Sequence, residues 1–435
     1  MKATRGIGSV FMSIAIAALL SAGCADETDR GANNAERTSP DAVTLRMVHW
    51  FGTEAGPVVS EINERFHREY PNISVEVEYA PVDQYQSIIR SRFVAGGAPD
   101  LLGVFPGKWQ EPFAEAGFLM DLSGSDWADR LKPDARNTMT TGGKLYAMPV
   151  NRNAIGVLYD KGFFERTGLD IPRTWNEFLS LCETIKRKGR VPIALGLKDQ
   201  WVTQIIPYAM APSAIYRDHP DFDARMYAGK ASFSDSPWRA MLEDYARLEK
   251  NGYFNEGFLG TTYDQMVQML ATGKAAMMVM GNWSLGPILL TNPNAEIGMF
   301  PLPYGDADKP YWVSSGVSIG IGVSRTTPYP EEAKKYLAFW SRPEVNTLFL
   351  EGTKSFSVYR DVNPALDPAL AEIEPAIRAG TYPFLDQNWP PGMQDKLFQV
   401  LQNWMAGGGK YSVGKALSEL DKTFEETKTN HDWVP

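Results

Sequence analysis

The stretch VTLRMVHWFGTEAGPVVSEINERFHREYPNISVEVEYA, Val43–Ala80, changes its periodicity twice. VTLRMVHW alternates apolar and polar residues as a half-buried strand does, and SVEVEYA (Ser74–Ala80) alternates again. Between them, GPVVSEINERFHREY repeats Val58, Ile62 and Phe66 at helical spacing, with Pro57 expected in the first turn, where a missing N–H is tolerated. A second helical segment, DQYQSIIRSRFVAGG, leads into PDLLGVF (Pro99–Phe105), whose apolar run predicts a buried strand. This order of elements predicts an α/β domain with a mostly parallel sheet. Ligands of such sheets collect beyond the carboxyl ends of the strands. Here those ends carry Trp50-Phe51-Gly52, Phe105-Pro106-Gly107-Lys108-Trp109 and Gly281-Asn282-Trp283.

After Met148-Pro149 the pattern shifts. AIGVLYDKGFFERTGL reads as a strand and a short helix, and Thr174 with Glu177 forms a capping box that opens a helix at Trp175. VPIALGL is a strand, and SPWRAMLEDYARLEKNGYF and TYDQMVQMLATG are helical. Ala275 to Met280 contains no polar side chain, which suits a strand covered on both faces, until Gly281 hands Asn282 and Trp283 to a loop. VSIGIGVS is a Gly-rich strand, PEEAKKYLAFW a helix led by Pro330, and the C-terminal region is helical.

At 435 residues the chain exceeds one ordinary core and predicts two or three domains. Its 44% apolar and 22% charged residues are those of a globular protein. The net charge of −9 would repel nucleic acid and anionic lipid and argues against either as a ligand.

Lys2 and Arg5 precede the apolar run Ile7 to Leu20, followed by Ser21, Ala22, Gly23 and Cys24. This is the layout of a secretory signal peptide over 1–23. A cysteine directly after small residues resembles the lipobox of bacterial lipoproteins, which implies a lipid on Cys24; an ordinary signal peptide with an incidental cysteine is the alternative. Residues 24–42 are polar and aperiodic, a tether reaching on the order of 25 Å as a flexible coil. Two or more acyl chains on Cys24 would hold the protein at a membrane surface. Cys182 lies on the apolar face of TWNEFLSLCETIKRKG and is expected as a free buried thiol.

Catalytic and metal signatures are sparse. The four histidines, His49, His67, His219 and His431, lack the spacing of a zinc site and are expected as surface or packing residues. Gly320-Ile321-Gly322 begins a GxGxxG pattern that Arg325 breaks, and neither GxxxxGK[ST] nor HExxH occurs. No cofactor and no metal are expected. Carboxylate pairs for glycoside cleavage remain possible among 52 acids. Trp50, Trp109, Trp201, Trp283, Trp312 and Trp389 fall at or beside loops, often next to Gly or Pro. Sugar rings combine apolar C–H faces with a rim of hydroxyls, so aromatic plates with polar neighbours suit them.

Four segments resemble the extracellular solute-binding proteins of ABC importers, the maltose-binding-protein-like family 1. They are GGAPDLL with FAEAGFLMDLS, LYAMPVNRNAIGVLYDKGFFERTGLDIPRTWNEF, GKAAMMVMGNW, and SSGVSIGIGVSRTTPYPEEAKKYLAFWSRPE. The resemblance implies a two-lobed α/β fold that closes on its ligand by a hinge, with one lobe at 43–150 plus 282–325 and the other at 151–281 plus 326–435. It places Trp283 at the cleft and offers as ligand contacts Trp50 and Glu54; Phe105, Lys108 and Trp109; Arg152; Asp199 and Trp201; Trp312 and Ser315; and Tyr359 and Trp389. It further implies a monomeric, non-catalytic binding protein on the outer face of the cytoplasmic membrane that passes an oligosaccharide to an ABC permease. A surface polysaccharide-degrading enzyme, a non-transport adhesin, and a binding protein for a small phosphorylated polyol are the alternatives.

Overall fold

The computed structural model describes residues 42–407 and 411–428, with the side chains of Thr53 and Glu54 left aside. The leader, Cys24, His431 and all of the tether except Ala42 lie outside the described residues. Among the described residues no helix is long and apolar enough to cross a membrane.

The strands in chain order are β1 (Val43–His49), β2 (Ile73–Tyr79), β3 (Leu101–Val104), β4 (Thr140–Thr141), β5 (Lys144–Leu145), β6 (Ala147–Asp160), β7 (Val191–Ile193), β8 (Ala275–Gly281), β9 (Ile297–Phe300), β10 (Val313–Val323) and β11 (Thr381–Tyr382). β4 and β5 form a small hairpin, and the other nine form one sheet with central order β2-β1-β3-β10-β6-β8-β7. β1 pairs in parallel with β2 and β3, as expected, and so does β7 with β8. The middle of the sheet departs from the expectation, because β10 runs antiparallel to both β3 and β6, and β6 antiparallel to β8 and β9. The two long strands carry the chain back and forth between two cores, and a returning strand beside an outgoing one is necessarily antiparallel.

The first helix starts at Gly52, so Pro57 sits in its second turn rather than its first. A proline that near the start forfeits a single hydrogen bond, which the packed face of Val59, Ile62 and Phe66 outweighs. Thr174 caps the helix Trp175–Arg187 as expected, accepting from the Glu177 N–H at 3.1 Å. The returning carboxylate goes one residue further out, to the Arg173 N–H at 2.6 Å. Cys182 is a fully buried free thiol, and burial pushes its pKa up.

Two hydrophobic cores are distinguishable. One gathers β1, β3, Ala147–Val150 of β6, Val317–Val323 of β10, and the helices Pro330–Trp340 and Pro343–Thr353, ending near Val362. The other gathers Ala154–Tyr159, β8, Leu285–Tyr304, Val313, and everything described beyond Ala369. By membership of these cores the described chain passes between them at 150–154, 313–317 and 362–369, where the resemblance implied passages after 150, 281 and 325. Residues 282–304 belong with the second core and 326–362 with the first. The physical reason is side-chain contact: Phe51 stacks on Trp340 with ring centroids 6.1 Å apart, and the Tyr336 hydroxyl donates to Asn63 Oδ1 at 2.6 Å.

Candidate functional site

All seven residues of β8 are buried, and each large apolar side chain removed from water there contributes about 1.5–3 kcal/mol. The run ends on Gly-Asn-Trp for two local reasons. A Cβ on Gly281 would lie 1.9 Å from the Trp283 ring, so glycine clears the space into which that ring folds back. Asn282 turns inward, accepting from the Ala154 N–H at 2.6 Å and donating to Asn153 Oδ1 at 2.9 Å and to the Lys354 carbonyl at 2.6 Å. It thereby ties the second core to the crossover and to the first core, while Trp283 is left facing a cavity.

That cavity, about 420 Å³, lies between the two cores and has the size of a small-molecule site. The first core contributes Trp50 and Phe105, stacked at 4.0 Å with planes 3° apart, and Tyr85 supports Trp50 edge-on at 4.8 Å. Gly103 clears room for Trp50, since a Cβ there would meet its ring at 2.5 Å. The second core contributes Trp201, Trp283 and Phe384, with Trp201 6.4 Å and Phe384 6.2 Å from the Trp283 ring centroid. Aromatic plates thus face the cavity from both sides.

Polar groups complete the lining. Asp199 Oδ2 accepts from the Tyr263 N–H at 2.6 Å, and Gln394 Nε2 donates to Gln204 Oε1 at 3.2 Å. Asn151 and Gln387 are almost wholly buried yet border the cavity, and neither Asn151 Oδ1 nor Gln387 Oε1 has a hydrogen-bond partner. Gln387 is oriented by Nε2, which donates to the Val317 carbonyl at 2.8 Å. Ser318, which borders the cavity, sits where the β10 register slips against β6. It is also the serine of Gly316-Val317-Ser318-Ile319-Gly320, a G-x-S-x-G spelling. The chemistry of that motif requires a sharp strand-to-helix turn, whereas Ser318 lies inside a strand.

Burial pushes the Asp386 carboxyl up to about 6, against the opposing hydrogen bond of the Tyr208 hydroxyl. Asp83 is raised by burial and then by the charge of Asp199, while a backbone N–H from Gln200 opposes the rise. Asp395 is raised by burial and then by Asp83. Because the folded pKa of Asp386 exceeds that of an unfolded aspartate near 4, folding favours the protonated form and stability falls as pH rises through that window. Asp386→Asn should therefore stabilise the ligand-free protein by about 2–3 kcal/mol above pH 7 and leave it unchanged near pH 4, as thermal melts at the two pH values would record.

Of the residues expected at the site, Trp50, Phe105, Asp199, Trp201 and Trp283 are brought together at the cavity. The Glu54 side chain lies outside the described residues. The others point elsewhere. Lys108 pairs with Glu111 at 2.9 Å, and Trp109 is buried, stacked on Phe113 at 4.7 Å. Arg152 forms an ion pair with Asp134. Trp312 packs on Gly380, its backbone N–H held by Ser213 Oγ at 2.8 Å, and Ser315 is buried in β10 opposite Ala154. Tyr359 is buried beneath Arg130 in the first core, and Trp389 among Tyr208, Phe233 and Trp238 in the second. Trp109, Ser315, Tyr359 and Trp389 are covered by neighbouring elements.

Sequence reasoning missed Asn151, Asn153, Gln204, Tyr263, Asp264, Phe384 and the Asp386-Gln387 pair. Asn151 and Asn153 carried a signal, since the three consecutive polar residues Asn151-Arg152-Asn153 interrupt an otherwise apolar strand. The remainder are ordinary polar or aromatic positions until the chain folds.

A profile of the bacterial extracellular solute-binding protein family matches residues 52–347. The multiple sugar-binding protein of Streptococcus mutans is 25% identical over 381 residues, 86% of this chain and 88% of the relative. The melibiose/raffinose/stachyose-binding protein of Bacillus subtilis is 24% identical over 319 residues, 71% of this chain and 73% of the relative. Among solved structures, RafE in complex with raffinose superposes with a TM-score of 0.76 at 24% identity, covering 89% of this chain and 100% of its own. A sugar transporter of Bacillus licheniformis in complex with stachyose superposes with a TM-score of 0.77 at 20% identity, covering 88% and 100%. These likenesses fit the fold already described, two α/β cores with a cavity between them, and the chain belongs to the bacterial extracellular solute-binding protein family.

Proposed function

We propose that the protein is the substrate-binding component of an ABC importer and that its ligand is an oligosaccharide held in the cavity between the two cores. The observation that carries this reading is the pair of opposed aromatic walls, Trp50 with Phe105 and Trp201 with Trp283, around hydrogen-bonding amides and carboxylates. Stacked sugar faces and pairing hydroxyls use both kinds of surface. Ligand would favour the closed arrangement because only there does it touch both cores, and a permease would then recognise that form. The lining contains no Lys, Arg or His among the described residues, which speaks against a phosphorylated polyol. We further propose secretion through the 1–23 leader, acylation of Cys24 and a monomeric state at the outer face of the cytoplasmic membrane, supported by the leader pattern and the family.

A thermal-shift screen of the chain from Val43 against mono- and oligosaccharides and phosphorylated polyols, with product analysis of every hit, tests the proposal. An oligosaccharide that raises the melting temperature and is recovered intact is the expected result. Cleavage of the hit would move the protein to the enzyme class, and stabilisation by phosphorylated polyols alone would displace the sugar.

A further inference from the structure

Asp223 is a buried carboxylate that does not line the cavity. It lies in the helix Phe222–Tyr227 of the second core and is 6% exposed. Its Oδ1 accepts from the Tyr216 hydroxyl and its Oδ2 from the Tyr382 hydroxyl, both at 2.8 Å, and the two tyrosine rings stack with centroids 3.7 Å apart. Burial pushes the carboxyl up, and those hydrogen bonds oppose the rise. A buried carboxylate is costly, and an apolar side chain would fill the same space with less desolvation. What the carboxylate adds is direction: when ionised it only accepts, so the single proton of each hydroxyl is committed to it.

Tyr382 opens the segment that carries Phe384, Asp386 and Gln387 to the cavity. With its proton held by Asp223, the Tyr382 hydroxyl turns its lone pairs to Asn388, whose Nδ2 donates to it at 3.0 Å. The carbonyl of Asn388 accepts in turn from the Tyr227 hydroxyl at 3.1 Å, and Tyr227 lies one turn beyond Asp223 on the same helix. Both ends of the 382–388 segment are thus pinned to one helix. The backbone holds it less firmly, since pairing with β10 covers only Thr381 and Tyr382, and the N–H groups of Gln387 and Asn388 donate within the segment. Leu385 and Trp389 are buried and fix its depth. The pinned ends fix its direction, which sets Phe384 edge-on to Trp283 at 6.2 Å and brings the Gln387 backbone against Gly107 of the first core.

We infer that Asp223 is a positioning residue of the ligand site: through Tyr382 and Asn388 it holds the 382–388 segment in the orientation that presents Phe384 and Gln387 to the ligand. The inference rests on the reading of the cavity as an oligosaccharide site. Asp223 acts at a remove, by fixing the wall rather than by touching the sugar.

Hydrogen–deuterium exchange of the ligand-free protein, well below its melting temperature, reads the orientation before any sugar is added. Asp223→Ala should speed exchange over 382–389 by about tenfold or more and leave the helix Trp238–Lys250 and the first core at wild-type protection. Tyr382→Phe keeps the stacked ring and loses only the shared hydroxyl, so it should give the same pattern, and it serves alone if the alanine variant does not fold. Calorimetry with raffinose, or with the oligosaccharide that the screen selects in its place, reads the consequence. Each variant should bind about tenfold more weakly, and that loss should shrink below about threefold in a Phe384→Ala background but persist in full in a Trp50→Ala background. Unchanged exchange over 382–389, a rise spread evenly through the second core, affinity within about twofold of wild type, or full additivity with Phe384→Ala overturns the proposal. Failure of the wild type to bind any oligosaccharide overturns the reading of the site, and the exchange pattern still decides whether Asp223 holds the segment.

Discussion

Replacing Trp283 with alanine is expected to weaken oligosaccharide binding by about 30- to 100-fold, the equivalent of about 2–3 kcal/mol for a central aromatic contact. The ring is only half-buried, resting on the space left by Gly281 and walled by Trp201 and Phe384, so it faces the ligand rather than a packed core. Its removal takes away one plate of the sandwich and leaves β8, which ends before it, intact. Trp283→Phe should recover much of the loss, because a smaller flat ring still stacks. Calorimetry on whichever sugar the screen selects measures both variants, and a change below threefold for the alanine variant would place the ligand away from this wall.

An effect at least as large is expected from Gly107→Ala. Gly107 lies in the loop after β3, in the first core, with φ +80, a conformation that strains any residue bearing a Cβ. A Cβ built there would lie 2.1 Å from the carbonyl oxygen of Gln387, which belongs to the second core. The obstacle is backbone on both sides, so no rotamer change relieves it. The variant should hold the cores apart at this point and bind at least 100-fold more weakly. The backbone strain itself should lower stability by only about 1–2 kcal/mol. Small-angle scattering with saturating sugar separates the two effects: the wild type should contract and the variant should not. Contraction equal to that of the wild type would show that the Gly107–Gln387 contact plays no part in closure.

Local pattern and tertiary packing contributed unequally to what could be foreseen. The alternation in VTLRMVHW and SVEVEYA and the apolar run of β8 were legible, because strand and helix periodicities are properties of a few consecutive residues. The strand ends bearing Trp50, Phe105 and Trp283 were legible for the same reason, and they do meet at one cavity. Trp109, Trp312, Tyr359 and Trp389 had the same local appearance and turned into cores instead. The direction of a loop aromatic depends on what distant segments leave open. Gly103 on the adjacent strand makes room for Trp50, whereas the helix beginning at Trp238 and the loop at Phe233 close over Trp389.

Sequence by itself determined the α/β class, the resemblance to solute-binding proteins, and the placing of large aromatics beyond strand ends, since each rests on residues adjacent in the chain. Only the tertiary structure decided where the chain crosses between cores, that Asn282 ties them together, and that Asp386, Gln387 and Asn151 share a cavity with Trp50 and Trp283. Those residues are far apart in sequence. Burial, charge compensation and hydrogen-bond vacancies exist only once the two cores face one another.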